Sequence, residues 1–475
     1  MKTKLQAFGQ EHLLTYWDAL APFERECLAR QIEQIDFALL ADLYRDRDKP
    51  VELLRIVDRA GDPPAYKFST VPSDTPPCRA EISITAREAT EAGQAALQRG
   101  EVAAIVVAGG QGTRLGFPHP KGMFPVGPVS NATLFQIHFE KVLAMSMRYG
   151  KRIPYCVMTS PATDSETHEF LETSNRFGMS PDDVYIFQQG TLPAISLDDG
   201  KVLLETKSSI ALSPDGHGGM LAALARPVDT TNRSLLQELK QRGIKYLFYH
   251  QVDNPLVQIG SPEYLGYHIL SGSELTSQVI RKQTSAEKVG NVVDIDGRLH
   301  IIEYSDLPKF VGERTNDDGT LKIWAGSIAV HVFNLDLLLQ ASRDTGSLPF
   351  HIAKKKVPFL NVATGRQEKP ATENAIKFER FIFDLLPLAK NAIVVEVDKA
   401  NHYGPLKNAT GSPEYSPETV RRDISAFDAN RLRQVGALVA SNVTVEISPL
   451  YAESQETLAA KTEPGTVIST DTYLK

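Results

Sequence analysis

The segment from Val106 to Gly122 reads Val-Val-Ala-Gly-Gly-Gln-Gly-Thr-Arg-Leu-Gly-Phe-Pro-His-Pro-Lys-Gly. Glycines let a backbone approach an anion closely and aim N–H groups at it. Arg114 can fork onto phosphate oxygens, and Lys121 supplies a compact point charge. Two cations beside a flexible glycine loop suit a polyphosphate, where charge builds on a departing group. The plain alternative is a structural turn. A dinucleotide loop fits poorly, because Gly110, Gly112 and Gly116 are spaced GxGxxxG, one residue off the fingerprint. Pro118, Pro120, Pro125 and Pro128 also keep the chain irregular to about Thr133, where a dinucleotide loop would already have opened a helix. No GxxxxGK[ST] run exists, so a Walker-type site is not supported.

Other residues have two readings each. Asp253 follows an apolar run and can hold a divalent cation between phosphates, or serve as turn former in Asp-Asn-Pro. Gln189 offers an amide that can donate and accept along a nucleobase edge, or is a surface polar residue. Gly216 to Gly219 form a flexible turn that admits a ligand or closes a hairpin. Glu303 can accept from hydroxyls or sit on an exposed strand. Lys377 and Lys407 can neutralise phosphate, although lysines are usually solvated. Lys354-Lys355-Lys356 reads as a solvated face. His217 suggests acid–base work, but a hydrogen bond to a ligand is preferred.

Elements must place these groups. Ala103 to Val107 is an apolar run of strand character that feeds the glycine loop directly. Thr85 to Arg99 predicts a helix, with Thr85 and Glu88 at capping-box spacing and Gly100 at its end. Leu134 to Tyr149 predicts another, ended by Gly150, and Phe170 and Leu171 fall in a third. Pro154 to Thr159 and Val184 to Phe187 predict strands, and Tyr246 to Val252 a buried one ending in Asp253. Ile323 to Phe333 and Ile393 to Val397 add later ones. Phe378 to Leu386 reads as a helix with a hydrophobic face, and Pro417 to Val435 as a polar helix before a β-like tail over Val443 to Tyr473. Gln10 to Arg45 reads as helical, and the proline-rich stretch from Asp58 to Cys78 as an extended connector. Helices alternating with short apolar strands predict an α/β fold with a mostly parallel, Rossmann-like central sheet. The expected domains are a helical N-terminal segment with its connector over 1–82, a main domain over 83–400 and a small β-containing C-terminal region over 401–475.

Bulk properties narrow the partners. The 475 residues are 42% hydrophobic and 23% charged, a globular composition. A net charge of −7 argues against nucleic-acid binding. No apolar run is long enough for a membrane span, and no signal peptide is visible. The three cysteines, Cys27, Cys78 and Cys156, lack metal-ligand spacing and point to a reducing compartment, the cytoplasm.

The glycine segment resembles the signature of the nucleotide-sugar pyrophosphorylases, in particular the eukaryotic-type UDP-N-acetylglucosamine enzymes and their UDP-glucose relatives. It has their GGxGTRLG core, then Pro-Lys-Gly, then Thr133-Leu-Phe-Gln136. The resemblance continues in order: Gly9 to Leu14, Phe187 to Ala194, Pro214 to Gly219, Val252-Asp253-Asn254, Ile302 to Ser305, Lys377, Lys407 and Glu446 to Leu450. It implies a GT-A-like nucleotidyltransferase sheet, and UTP and a sugar 1-phosphate as partners. It implies Mg²⁺ as cofactor with Asp253 as its ligand, and a monomer or homodimer. It implies Arg114, Lys121 and Lys407 as catalytic residues. Val107, Ala108, Gly109, Gly110, Gly112, Gln189, Gly216, Val252, Asp253 and Lys377 would bind nucleotide; His217, Glu303, Tyr304 and Ser327 would bind sugar. Two positions depart from the acetylhexosamine pattern: His217 and Ser327 stand where those members typically carry Asn. N-acetylglucosamine 1-phosphate is the favoured sugar, glucose or a broad range the alternative, and a non-catalytic nucleotide-sugar sensor a remote one.

Overall fold

A computed structural model describes residues 1–48, 56–75, 78, 80, 82–228, 232–344 and 348–475. Pro76 and Pro77 of the connector lie outside the described residues. The chain forms two compact units. One collects Met1–Arg55, Gln189–Ala223 and Thr345–Asp384; the other collects Ile56–Gln188, Leu224–Asp344 and Leu385–Lys475.

The larger unit is built on a ten-stranded sheet. Its strands are β1 (Ala65–Lys67), β2 (Val102–Val107), β3 (Tyr155–Thr159), β4 (Val184–Gln188), β5 (Tyr246–Gln251), β6 (Leu275–Arg281), β7 (Gly290–Ile295), β8 (Arg298–Ile302), β9 (Ala325–Asn334) and β10 (Ala392–Glu396). The order is β1-β10-β6-β9-β5-β2-β3-β4, with the β7–β8 hairpin joined to β9. All neighbours along that path are parallel except β9, which runs antiparallel to both β6 and β5. The expected mostly parallel α/β sheet is what forms.

Local chemistry sets the flanking helices. Thr85 and Glu88 make the reciprocal cap of the Ala86–Gln98 helix. Thr133 caps the Leu134–Tyr149 helix, and Gly150 ends it in the left-handed region at φ 61°. That helix buries Leu134, Phe135, Phe139 and Val142 completely, in one core with Val106, Val157 and Phe248 of the sheet. Near the C-terminus the Pro417–Gln434 helix packs with short strand pairs. A capped helix, Gln455–Lys461, interrupts the stretch read as β-like.

In the smaller unit the N-terminal stretch is helical, as two 3₁₀ turns followed by helices Pro22–Gln34 and Phe37–Arg45. Leu28, Ile32, Phe37 and Leu40 share a core with Ile195, Val202, Ile376 and Phe378. One expectation is corrected here. The helix expected over Phe378 to Leu386 forms only in its second half: Ala375–Glu379 is a strand between His351–Lys355 and Ile195–Ser196, and a 3₁₀ helix runs from Ile382 to Leu388. Ile376 and Phe378 alternate into the core, which is strand periodicity. Lys354, Lys355 and Lys356 are exposed, as a solvated face requires.

Among the described residues, no helix is long and apolar enough to cross a membrane. All three cysteines are free thiols.

Candidate active site

Parallel strands end on the same side, and ligands of open α/β sheets bind beyond those carboxyl ends. β2 and β5 are adjacent and in register, with Val107 opposite Gln251. The glycine loop leaves one and Val252-Asp253 leaves the other. Val252 N–H donates to the Val107 carbonyl at 3.1 Å, extending the pairing by one residue.

The loop is closed by its own backbone. Gly112 N–H donates to His119 O at 2.8 Å, Phe117 N–H to Gly112 O at 3.1 Å, and Lys121 N–H to Gly110 O at 3.0 Å. Ser160 Oγ donates to Gly109 O at 2.7 Å, and Ala108 N–H to Met158 O at 2.8 Å. The glycines divide by what surrounds them. A Cβ on Gly112 would lie 2.8 Å from Phe117 O, and one on Gly122 2.3 Å from the Phe135 ring. A Cβ on Gly110 would meet nothing within 4 Å, so the space beside it is open. Arg114 is exposed on the Thr113–Leu115 turn.

Lys121 Nζ stands 3.8 Å from Asp253 Oδ2, both side chains largely buried. The Asp253 carbonyl accepts from Leu406 N–H at 2.8 Å, which seats Lys407 beside it. Lys407 Nζ donates to Tyr403 Oη at 3.2 Å. Burial works against the Lys407 charge, but Asp253 and the two tyrosines, Tyr403 and Tyr415, together hold its ammonium above the ordinary lysine range. The strand ends therefore bring together Lys121, Asp253 and Lys407. A carboxylate at 9% exposure is a hard oxygen donor suited to Mg²⁺. Among the described residues no group of three or more His, Cys, Asp or Glu is gathered. That donor set fits an ion carried chiefly by substrate phosphates and waters.

Three further residues of the larger unit lie along the β7–β8–β9 edge. Ser327 pairs with Gly290, and a Cβ there would be 3.7 Å from Ser327 Cβ and 3.8 Å from Glu303 Oε1. Ser327 Oγ accepts from Ala329 N–H at 3.3 Å, at a bulge where Ala329 takes φ 55°. Tyr304 is exposed. Sequence reasoning missed Lys282, which is 3% exposed beside this edge and donates to Asn291 Oδ1. Burial pushes its ammonium down to about 8, with Glu287 opposing. Its polar neighbours, Arg281 and Gln283, give no local signal of burial.

In the smaller unit, Gln189 is buried and Lys377 partly exposed on its strand. Gly216 has φ 83°, and a Cβ there would lie 2.4 Å from Arg380 O, so both conformation and space require glycine. Gly218 N–H donates to that same carbonyl at 2.7 Å. His217 stacks on Phe381 at 5.2 Å and an interplanar angle of 18°, with Phe383 at 5.4 Å. Its Nδ1 accepts from Ile382 N–H at 3.2 Å, so the neutral ring carries its proton on Nε2. Burial, then the charge of His351, pushes its pKa down to about 4. His217 is therefore a neutral donor. The sequence reading gave Phe381 and Phe383 no role, since both fall inside the segment read as a helix.

Comparison with known proteins gives the family. The UDPGP family model, described as UTP–glucose-1-phosphate uridylyltransferase, matches residues 68–440. The UDP-N-acetylglucosamine pyrophosphorylase of Saccharomyces cerevisiae is 35% identical over 474 residues, covering 95% of this chain and 94% of its own. The UDP-N-acetylglucosamine diphosphorylase 2 of Arabidopsis thaliana is 33% identical over 482 residues, covering 96% and 90%. The crystal structure of the uridine diphosphate N-acetylglucosamine pyrophosphorylase of Trypanosoma brucei, in complex with an inhibitor, superposes with a TM-score of 0.81 at 26% identity, covering 100% of this chain and 97% of that one. Fold and sequence agree: this chain belongs to the UTP–glucose-1-phosphate uridylyltransferase family.

Proposed function

We propose that this chain transfers the uridylyl group of UTP to N-acetylglucosamine 1-phosphate and releases diphosphate. The observation that carries this is the gathering of Lys121, Asp253 and Lys407 at the ends of two adjacent parallel strands, in a chain 35% identical to a UDP-N-acetylglucosamine pyrophosphorylase. A phosphate oxygen of the sugar phosphate bonds to the α-phosphorus while the bond to the α–β bridging oxygen breaks. The attacking oxygen is already anionic, so no general base is needed. Catalysis is positioning plus charge neutralisation.

Within that reading, Arg114 and the loop amides, Gly112 among them, hold the β and γ phosphates, and Lys121 offsets charge at the α-phosphate. The backbone of Val107 to Gly110, with Val252, Gln189 and Gly216, holds the nucleoside. Lys377 and Lys407 steer the sugar phosphate, and Glu303, Tyr304, Ser327 and His217 contact the sugar. Asp253 holds Mg²⁺, which when bound supplies charge neutralisation at phosphate oxygens. Three free thiols favour the cytoplasm as the compartment.

His217 and Ser327 favour a second reading, a UDP-glucose or broad UDP-sugar enzyme. A diphosphate-release panel separates the two: UTP with the 1-phosphates of glucose, galactose, N-acetylglucosamine and N-acetylgalactosamine. The highest kcat/KM is expected with N-acetylglucosamine 1-phosphate. A preference for glucose 1-phosphate selects the second reading, and no release with any of the four overturns both.

A further inference from the structure

We propose that His138 and Lys141 are positioning residues that brace the segment carrying Asp253 from beneath. This rests on the reading of Asp253 as the Mg²⁺ ligand. Both residues lie on the Leu134–Tyr149 helix, three positions apart and so on one face. His138 is completely buried, and its Nε2 lies 3.0 Å from the Val252 carbonyl. A carbonyl only accepts, so Nε2 carries the proton and the ring is fixed in one tautomer. Burial holds the ring neutral. Lys141 Nζ donates to two carbonyls of the same segment, Pro255 O and, at 2.9 Å, Val257 O.

These two side chains grip the segment on either side of Asp253. Between the grips, Asn254 is tied through Nδ2 to His402 O at 2.8 Å, and its Oδ1 accepts from Gly404 N–H at 3.1 Å. The backbone from Val252 to Val257 is thus pinned through its carbonyls and one amide side chain, while the Asp253 carboxylate stands beside Lys121. An ammonium withdrawn from water is costly, and an apolar side chain of similar length would fill the place without that penalty. The partners that justify a lysine are the two carbonyls. Burial pushes the Lys141 ammonium down to about 7, while Asp428 on the Pro417–Gln434 helix supports its charge and Arg431 on the same helix opposes it. Holding a metal ligand through a neighbouring hydrogen bond is how outer groups tune affinity.

The test uses the full-length enzyme and three variants: Lys141→Met, Lys141→Arg and Asp253→Asn. Methionine keeps the volume and removes the donors. Arginine keeps the donors, and a cavity of about 300 Å³ bordered by Lys141, Pro255, Leu256 and Asp428 has room for it. Two quantities are read: the Mg²⁺ midpoint of diphosphate release, and Mn²⁺ binding to the enzyme–UTP complex by electron paramagnetic resonance. Lys141→Met is expected to weaken both about 10-fold, with Lys141→Arg restoring most of the loss. His138→Leu is expected to act in the same direction, and His138→Gln, which keeps a donor, less so. If Lys141→Met does not fold, Lys141→Gln takes its place with the same outcomes.

The brace is overturned if Asp253→Asn weakens metal binding while Lys141→Met leaves it unchanged. It is equally overturned if Lys141→Met lowers kcat and raises every KM at an unchanged metal midpoint, since that is a general structural effect. If Asp253→Asn itself leaves metal binding unchanged, the assignment of Asp253 fails and the brace falls with it.

Discussion

The strand-end cluster of the larger unit and the His217 segment of the smaller one are built on opposite physics. At the strand ends the side chains are charged: Lys121, Asp253 and Lys407 stand close in largely buried surroundings. Around His217 the groups are neutral and aromatic, with Phe381 and Phe383 against a ring that burial keeps uncharged. In the function proposed above, the contrast corresponds to the two halves of a uridylyl transfer. Moving a phosphoryl group requires charge neutralisation, whereas choosing between sugars requires shape and a hydrogen bond. Substitutions in the first region should therefore abolish rate, and those in the second should redistribute preference.

The strongest test of that division is Lys121→Ala. Loss of one charged stabiliser at a transferring phosphate is expected to lower kcat about 10²- to 10³-fold, measured by diphosphate release, with the sugar preference order unchanged. Near-normal turnover would remove Lys121 from the mechanism. The next effect separates space from conformation within the glycine loop. Gly112→Ala forces a Cβ against Phe117 O and His119 O, at 2.8 and 3.0 Å, so both stability and UTP affinity should fall. Gly110→Ala meets no protein atom within 4 Å, so its melting temperature should hold while KM for UTP rises. If Gly110→Ala leaves KM unchanged, the open space beside it is not the phosphate site.

His217→Asn probes the other region. Asparagine keeps a donor but loses the ring stack, and pocket changes of this kind are worth about 1–3 kcal/mol of discrimination, or 10- to 200-fold. The ratio of kcat/KM for N-acetylglucosamine over glucose 1-phosphate should rise about 10-fold while KM for UTP stays put. A change in KM for UTP with no change in sugar ratio would dissolve the contrast between the regions.

The two regions also differ in how far the sequence reveals them. Where the information is local it is readable. Thr133 and Gly150 bracket the Leu134–Tyr149 helix at the residues where it begins and ends, and the prolines after Arg114 keep the loop irregular. The strand-end cluster is not local in this sense: β2 and β5 are neighbours in the sheet but lie more than a hundred residues apart in the chain, and only the family resemblance groups Lys121, Asp253 and Lys407 beforehand. Around His217 the information is not local either. Its ring partner Ile382 is 165 residues away, and the Ala375–Glu379 strand is fixed by pairing with His351–Lys355. Ile382, Leu385 and Leu386 lie on the 3₁₀ helix that follows, and their spacing with Phe378 hides the strand alternation of Ile376 and Phe378. His138 and Lys141 read as ordinary positions of an amphipathic helix, because the segment they grip lies more than a hundred residues later.

The smallest expected effect is in the pH dependence of stability, and it can be read in both regions. Burial pushes His250 down to about 3 and His268 down to about 4 in the larger unit, and His217 to about 4 in the smaller one. Above pH 6.5 these rings are neutral in both the folded and unfolded states, and nothing is lost. Between 6.5 and about 4 the unfolded chain takes up protons that the folded rings refuse, so stability falls as pH falls. Asp428, pushed up to about 7 by burial, works in the opposite direction, since its folded carboxyl binds a proton more readily than the unfolded one. The native slope is therefore a net of opposing groups, and the difference between variant and native isolates each. His268→Asn should flatten the slope by up to ~1.4 kcal/mol per pH unit, measured by urea unfolding from pH 7 to pH 4.5. His217 is pushed to the same value, about 4, so His217→Asn should flatten it by a similar amount. A clearly smaller flattening for His217→Asn than for His268→Asn would show that the His217 ring takes up its proton more readily than a ring inside the sheet, and it would then not be the neutral donor described above.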